Sequence, residues 1–358
     1  MQRAMRLAAR GLYTTDPNPR VGCVIVKDGV IIGEGFHQRT GEQHAEILAL
    51  HQAGDAAAGA TAYVTLEPCS HHGRTPPCAD ALVAAGVARM VAAMQDPNPL
   101  VAGRGFDRLR DNGIVVEYGL LESQARALNP GFIKRMQSGL PFVRVKLAMS
   151  LDGRTAMASG ESQWISGAAA RRDVQKLRAR SSAILTGVNT VLHDDPSLNV
   201  RLSAAELGID GDVRQPLRVV IDSALKMPAS AKMLALDGDT IVVTTGGKEA
   251  ELPCEVLSLD AENGKVSLHD LLVWLARRET NEVHVEAGAG LCGALLQQQL
   301  VDEIVVYMAP HIMGANARGL FELPGLEHMR DRIELEISDL RHVGKDIRIT
   351  ARPLYGRR

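Results

Sequence analysis

His44-Ala45-Glu46, followed by Pro68-Cys69 and Pro77-Cys78, is the stretch whose reading decides the fold of the first half of the chain. An apolar helical pattern runs from about His44 to Gln52 and stops before Gly54. Each cysteine follows a proline, beside a strand or loop end and near a helix start. Zinc takes nitrogen and thiolate ligands in a tetrahedral site, and a catalytic site keeps one position open for water. His44, Cys69 and Cys78 supply three ligands and leave that fourth position. Helix N-termini favour thiolate over thiol, because the dipole and unpaired N–H groups stabilise the anion. The metal lowers the pKa of its water from about 15.7 toward about 7. Attack on a carbon bearing an exocyclic amine then needs a group that carries a proton to the departing nitrogen. Glu46, two residues from a ligand and not required by the metal, is placed for that role.

Around this stretch strands and helices alternate. Val21–Val26 and Val30–Gly35 read as a hairpin across Lys27-Asp28-Gly29, and Ala4, Leu7, Ala8 and Leu12 share one face of an opening helix. Strands at Thr61–Leu66, Val87–Ala93 and Ile114–Tyr118 interleave with helices at Cys78–Ala85 and Phe106–Asn112. The pattern predicts an α/β sandwich around a largely buried sheet. Asn129-Pro130-Gly131 and Ser138-Gly139-Leu140-Pro141 are the strongest mid-chain punctuation, so two domains are expected, 1–140 and 141–358. The second part alternates again: strands at Phe142–Met149, Ala183–Thr186, Leu217–Asp222, Thr240–Thr244, Glu282–Glu286 and Asp302–Ala309, with helices at Ala168–Ala179 and Gly290–Gln298.

Composition narrows the classes of function. The 358 residues are 46% hydrophobic and 23% charged, as in ordinary globular protein, with cores built from Ala, Val, Leu and Ile because aromatics are only 3%. Forty basic against 42 acidic residues provide no global field for nucleic acid. No apolar run approaches the roughly 20 residues that cross a bilayer. Five cysteines in so long a chain argue against a disulfide framework; Cys23, Cys254 and Cys292 read as buried thiols. The arginine-rich start reads as the first helix rather than a removable leader, so a cytoplasmic, reducing compartment is expected.

The general zinc deaminase signature is H-x-E followed by P-C-x-x-C. Here eight residues separate the cysteines, in Pro68-Cys69-Ser70-His71-His72-Gly73-Arg74-Thr75-Pro76-Pro77-Cys78. That segment closely resembles the bifunctional riboflavin biosynthesis family, in which diaminohydroxyphosphoribosylaminopyrimidine deaminase is joined to 5-amino-6-(5-phosphoribosylamino)uracil reductase. Asn18-Pro19, Gly35-Phe36-His37, Lys146 through Arg154, Gly160 through Ile165, Thr186 through Pro196 and Glu286-Ala287-Gly288 extend the resemblance over nearly the whole chain. It implies an N-terminal cytidine-deaminase-like α/β/α sandwich and a C-terminal dihydrofolate-reductase-like α/β domain. It also implies two reactions: hydrolysis of the C2 amine from a pyrimidinone ribotide, then reduction of the ribosyl group with NADPH. Asn18 and His37 are then expected in the pyrimidine pocket, with His71 and Arg74 nearby; the two adjoining histidines also read as exposed loop residues.

Gly288-Ala289-Gly290-Leu291-Cys292-Gly293 satisfies G-x-G-x-x-G after a strand and before a helix, a geometry that cradles phosphate. Unlike a standard dinucleotide fold, it lies late in its domain, and Asp302 and Glu303 precede their strand. The resemblance implies NADPH contacts at Ala148, Trp164, Thr190, Asp194, Ser223, Glu286 and Gly288 through Cys292 (Gly288, Ala289, Gly290, Leu291, Cys292). It implies substrate contacts at Ser162, Arg178, Arg201 and Glu286; paired arginines suit a phosphate. Trp164 also reads as a core aromatic, Arg178 as a solvated helix face, Arg201 as a loop charge and Asp152 as an ordinary tight turn. The partners expected are a small pyrimidine ribotide and a second copy pairing through the reductase domain, with no nucleic acid or membrane. The rival readings are a nucleoside or tRNA-type zinc deaminase with an unrelated appended domain, and a protein whose zinc is only structural. A close cysteine pair, a basic surface and stacking aromatics would favour the tRNA type; none is present.

Overall fold

Cys23 and Ile25 enter one core and Val24 another, so the strand that carries them is covered on both faces. In the computed structural model, which describes residues 1–70, 77–99, 101–247 and 251–356, the chain divides into two units, Met1–Leu140 and Pro141–Arg358.

The first unit is built on a five-stranded sheet of β1 (Gly22–Lys27), β2 (Val30–Phe36), β3 (Thr61–Val64), β4 (Arg89–Ala92) and β5 (Val115–Tyr118), in the order β2-β1-β3-β4-β5. The β1 strand runs antiparallel to both neighbours, and β3, β4 and β5 are parallel. One face carries α2 (Ala45–Ala53), α3 (Cys78–Ala84) and α4 (Arg104–Asp111), which bury Ala49, Leu82, Phe106 and Leu109 against Ile25, Val64 and Met90. The other carries α1 (Gln2–Ala9), with Ala4 and Leu7 on Val24. Gly35 makes the close approach of α2 possible: a Cβ there would lie 2.3 Å from the Ala45 carbonyl oxygen. The helix that starts after His44 is thereby pressed onto the sheet.

In this unit α5 (Glu122–Leu128) and α6 (Pro130–Ser138) escape the sequence reading. The Asn-Pro-Gly punctuation does not end structure there; Pro130 takes the first helical turn, where its missing N–H would be unpaired anyway.

The second unit holds a nine-stranded sheet. Its strands are β6 (Phe142–Ser150), β7 (Ala183–Gly187), β8 (Leu217–Ile221), β9 (Thr240–Thr245), β10 (Glu255–Leu259), β11 (Glu282–Val285), β12 (Glu303–Ala309), β13 (Glu334–Val343) and β14 (Asp346–Leu354). Their order is β10-β9-β8-β7-β11-β6-β12-β14-β13. All pairings from β10 to β12 are parallel, and the closing hairpin β13–β14 is antiparallel. The sequence reading misses that hairpin, although Leu335 and Ile337, and Ile347, Ile349 and Ala351, alternate with polar residues; β13 is exposed along most of its length. The described residues contain no helix long and apolar enough to cross a membrane. All five cysteines are free; Cys23 and Cys292 are buried as expected, whereas Cys254 is only partly buried.

Candidate zinc and cofactor sites

His44 caps the N-terminus of α2 in extended conformation, Glu46 lies in the first turn, and Cys78 opens α3. His44 Nδ1 is 3.6 Å from Cys69 Sγ and 3.3 Å from Cys78 Sγ, and the three ligand atoms lie within 4.8 Å of one another. Zinc–sulfur bonds near 2.3 Å and zinc–nitrogen bonds near 2.0 Å give tetrahedral N···S edges of roughly 3.5 Å. The two N···S separations therefore match those of a zinc site. Hydrogen bonding from the Cys78 side chain, then from His44 and the Cys78 N–H (3.2 Å), draws the Cys69 thiol down to about 4; the same sharing pushes Cys78 up. Glu46 is 3% exposed, and burial first, then the Cys69 sulfur, raises its carboxyl to about 7.

His37 sits beside this cluster, its ring edge-on to His44 at 5.3 Å. Its Nδ1 lies 3.2 Å from the Gln43 carbonyl, which requires the proton there; Nε2 then accepts from the Asn18 amide at 3.1 Å. Burial lowers the His37 pKa, in keeping with that neutral form. Asn18, His37 and His44 are thus brought together; His71 and Arg74 lie outside the described residues.

Sequence reading overlooked Glu67, although a carboxylate directly before Pro68-Cys69 at a buried strand end is a signal. Its Oε1 accepts from Gly105 N–H (2.8 Å) and its Oε2 from Gly103 (3.0 Å) and Asp96 (3.1 Å), tying the start of α4 to the Cys69 loop.

In the second unit the expected residues gather at the carboxyl ends of parallel strands, where open α/β sheets bind ligands. Thr190 and Asp194 lie in α8 (Val188–Asp194) after β7, and Ser223 follows β8. Gly288 caps α10 (Ala289–Gln297) after β11, α7 being Ala168–Arg180 and α9 Leu268–Arg277. A Cβ on Gly288 would meet nothing within 4 Å, whereas one on Gly293 would lie 2.1 Å from the Glu322 carbonyl oxygen. The first glycine thus leaves room for a phosphate and the last serves packing, with Ala289, Gly290, Leu291 and Cys292 between them. Ala148 lies in the later half of β6. Trp164 is 70% exposed with Arg171 over its ring at 4.6 Å, which overturns the core-aromatic reading. Gln163 links this segment to Asp194 at 3.3 Å. Ser162 is partly exposed beside them in sequence.

Arg178 is buried, not a solvated helix face, and grips both Glu286 oxygens (2.5 and 3.0 Å). Asn199 joins it to Arg201: its carbonyl accepts from Arg178 at 3.0 Å and its side chain from Arg201 at 3.3 Å. Lys146 Nζ and His284 Nε2 also approach Glu286, at 3.9 and 3.3 Å. Burial would raise Glu286, but Arg178, His284 and Lys146 hold it well below the usual carboxylate range. No role is read from sequence for Lys146 or His284, because each stands between apolar neighbours in its strand. Asp302 and Glu303 are not ribose ligands in waiting: Asp302 accepts from Val143 N–H at 2.7 Å and Glu303 pairs with Arg144. Asp152 is more than an ordinary turn, because its carboxylate binds Ser150 Oγ and the Met313 and Gly314 N–H groups, stapling two loops together.

Residues 141–349 match the protein-family description RibD C-terminal domain, and residues 1–94 match the cytidine and deoxycytidylate deaminase zinc-binding region. The riboflavin biosynthesis protein RibD of Escherichia coli K12 is 55% identical over 97% of this chain and 96% of its own. A solved structure of Acinetobacter baumannii RibD superposes with a TM-score of 0.91 at 48% identity, covering 99% of this chain and 98% of that one. A Thermotoga maritima diaminohydroxyphosphoribosylaminopyrimidine deaminase/5-amino-6-(5-phosphoribosylamino)uracil reductase superposes at 0.87 with 34% identity, covering 99% and 97%. These matches establish the cytidine-deaminase-like and dihydrofolate-reductase-like folds and leave no place for an unrelated appended domain. On the strength of that full-length agreement and of a donor set that fits zinc, the chain belongs to the riboflavin biosynthesis family RibD, bifunctional enzymes that join a zinc-dependent deaminase to an NADPH-dependent reductase.

Proposed function

We propose that residues 1–140 carry out the deamination and residues 141–358 the reduction. The substrate of the first step is 2,5-diamino-6-ribosylamino-4(3H)-pyrimidinone 5′-phosphate, and the product of the second is 5-amino-6-(5-phosphoribitylamino)uracil. His44, Cys69 and Cys78 hold the zinc, and Asn18 and His37 meet the pyrimidine; the family resemblance alone adds His71 and Arg74 as substrate contacts. Zinc, when bound, supplies the Lewis acidity that makes water nucleophilic near neutral pH. Glu46 takes a proton from the attacking water and hands it to the C2 nitrogen; the new C–O bond replaces the C–N bond and ammonia leaves. The observation that carries this reading is the Glu46 carboxyl, buried in the first turn of the helix that His44 caps.

In the second unit Ala148, Trp164, Thr190, Asp194, Ser223 and the Glu286–Cys292 stretch hold NADPH. Ser162, Arg178, Arg201 and Glu286 hold the deaminated ribotide, the arginines facing its phosphate. NADPH, when bound, supplies the hydride that opens the ribosyl group into a ribityl chain. The residues contribute orientation and charge, and hydride transfer needs little more. Supplying the diaminopyrimidine ribotide to zinc-loaded protein should release ammonia first and consume NADPH afterwards. Ammonia release without NADPH oxidation would sink the reductase assignment. Cys78→Ser should lose stoichiometric zinc and deamination together, checked by metal analysis, while reduction of the deaminated ribotide continues.

The enzyme works in the cytoplasm on a small ribotide, without nucleic acid or membrane, and pairs through its reductase domain. Support for pairing comes from β13, an edge strand. A bulge between Ile337 and Asp339 keeps Leu335, Ile337 and Leu340 on one face with Pro353, Ala351 and Ile349 of β14, and all three side chains are exposed. Edge strands are normally protected by charge or cover. The double change Ile337→Lys with Leu340→Lys should convert a dimer to a monomer by size-exclusion with light scattering; an unchanged mass would remove this surface.

A further inference from the structure

We propose that Asn129 is a positioning residue of the deaminase pocket, acting through the backbone of Arg20 on Asn18. The inference rests on the reading of Asn18 as a pyrimidine contact. Asparagine at a helix N-cap ordinarily accepts a hydrogen bond from the first turn. Asn129 occupies the N-cap of α6 and makes no such bond. Its side chain turns instead to a segment 109 residues earlier in the chain. There Oδ1 accepts from the Arg20 N–H at 2.8 Å and Nδ2 donates to the Arg20 carbonyl at 2.9 Å. One amide thus pairs with both peptide groups of one residue, as a neighbouring strand would.

Burial makes this pairing matter. Asn129 is 6% exposed and Arg20 7%, and buried peptide groups left unpaired are costly. The Arg20 guanidinium returns to the Leu128 carbonyl, so the join between α5 and α6 is tied to Arg20 twice. Only a side chain with donor and acceptor side by side can make the two bonds; a carboxylate would set an oxygen against the Arg20 carbonyl.

Arg20 lies two residues from Asn18 and two from Gly22, whose N–H binds Thr65 Oγ1 at 3.1 Å. The sheet anchors the segment on the Gly22 side. On the other side runs the loop that holds Asn18 against His37 Nε2, and His37 in turn meets the His44 ring. The clamp therefore sets where that loop leaves the sheet. Asn129 also lies beyond residues 1–94, the span of the zinc-binding-region match, so α5 and α6 give the deaminase a support from outside that region. The described bonds of Asn129 run to Arg20 and not to His44, Glu46, Cys69 or Cys78, so the clamp governs substrate binding rather than the chemical step.

The test is deamination kinetics of Asn129→Ala and Asn129→Asp beside the wild type, with zinc content and reduction of the deaminated ribotide measured on the same preparations. N129A should raise KM for the diaminopyrimidine ribotide roughly tenfold, with kcat little changed. N129D, which keeps the acceptor for the Arg20 N–H but sets an oxygen against the Arg20 carbonyl, should raise KM at least as much. Zinc content and reductase rate should match the wild type in both. A wild-type KM in N129A would overturn the proposal, as would a fall in kcat together with lost zinc at unchanged KM. Should N129A not accumulate as zinc-loaded protein, N129D decides in the same way: a raised KM supports the clamp and a wild-type KM overturns it. If the wild type itself released no ammonia, the reading of the pocket would fail instead.

Discussion

Replacing Glu46 by glutamine should lower ammonia release about 10²- to 10⁴-fold, the range for loss of a positioned general acid–base group. Zinc should remain bound. Glutamine preserves the shape of the side chain in its buried place at the start of α2, and the ligand atoms of His44, Cys69 and Cys78 are untouched. It cannot accept a proton from water and return it to nitrogen, so the effect should fall on kcat rather than KM. Reduction of the deaminated ribotide, measured on the same preparation, should proceed at the wild-type rate and exclude a general folding defect. Persistent ammonia release with zinc in place would remove Glu46 from the mechanism.

Arg144→Met should destabilise the second unit by about 3–5 kcal/mol, the usual consequence of removing one partner from a buried ion pair. Arg144 is 1% exposed in the centre of the sheet, 2.9 Å from Glu282 on β11 and paired with Glu303 on β12. Glu282 is equally buried and would keep Arg180, at 3.1 Å. Loss of the fully buried partner of Glu282 dominates, because methionine replaces the volume of the lost side chain but not its charge. Removing Glu282 as well, in Arg144→Met with Glu282→Leu, should recover a large part of the loss, since Arg180 and Glu303 both reach solvent. The denaturation transition assigned to residues 141–358 reads both variants. Equal stability of the single variant and the wild type would show that the charges contribute nothing net.

The two predictions differ in how far their residues could be read beforehand. The proposed zinc set was legible because its chemistry resides in residue type: a histidine and two cysteines near helix starts, with an acid one turn-step away. Glu46 needed only local helix geometry. By contrast, Arg144, Lys146, Glu282 and His284 sit in strands whose apolar neighbours dominate the pattern, and their charges become intelligible only when β6 and β11 lie side by side. Trp164 was ambiguous for a similar reason, since one aromatic in an irregular segment carries no periodicity. The helices α5 and α6 were hidden because Asn-Pro-Gly signals a stop and a helix start equally well.

By itself the sequence determined the α/β alternation, the two-part organisation it suggests, the zinc donor types and the acid beside them. These follow from periodicity and from side-chain chemistry, which act over a few residues. Only the tertiary structure decided which distant groups meet. Parallel pairing carries residues from Ala148 to Cys292 to one end of a sheet, and the fold sets Glu286 among Arg178, Lys146 and His284. It also turns the Asn129 side chain from its own helix to Arg20. Hydrogen bonds and ion pairs of this kind depend on distance in space, and a buried polar group takes whichever partner the packing of apolar residues brings within reach.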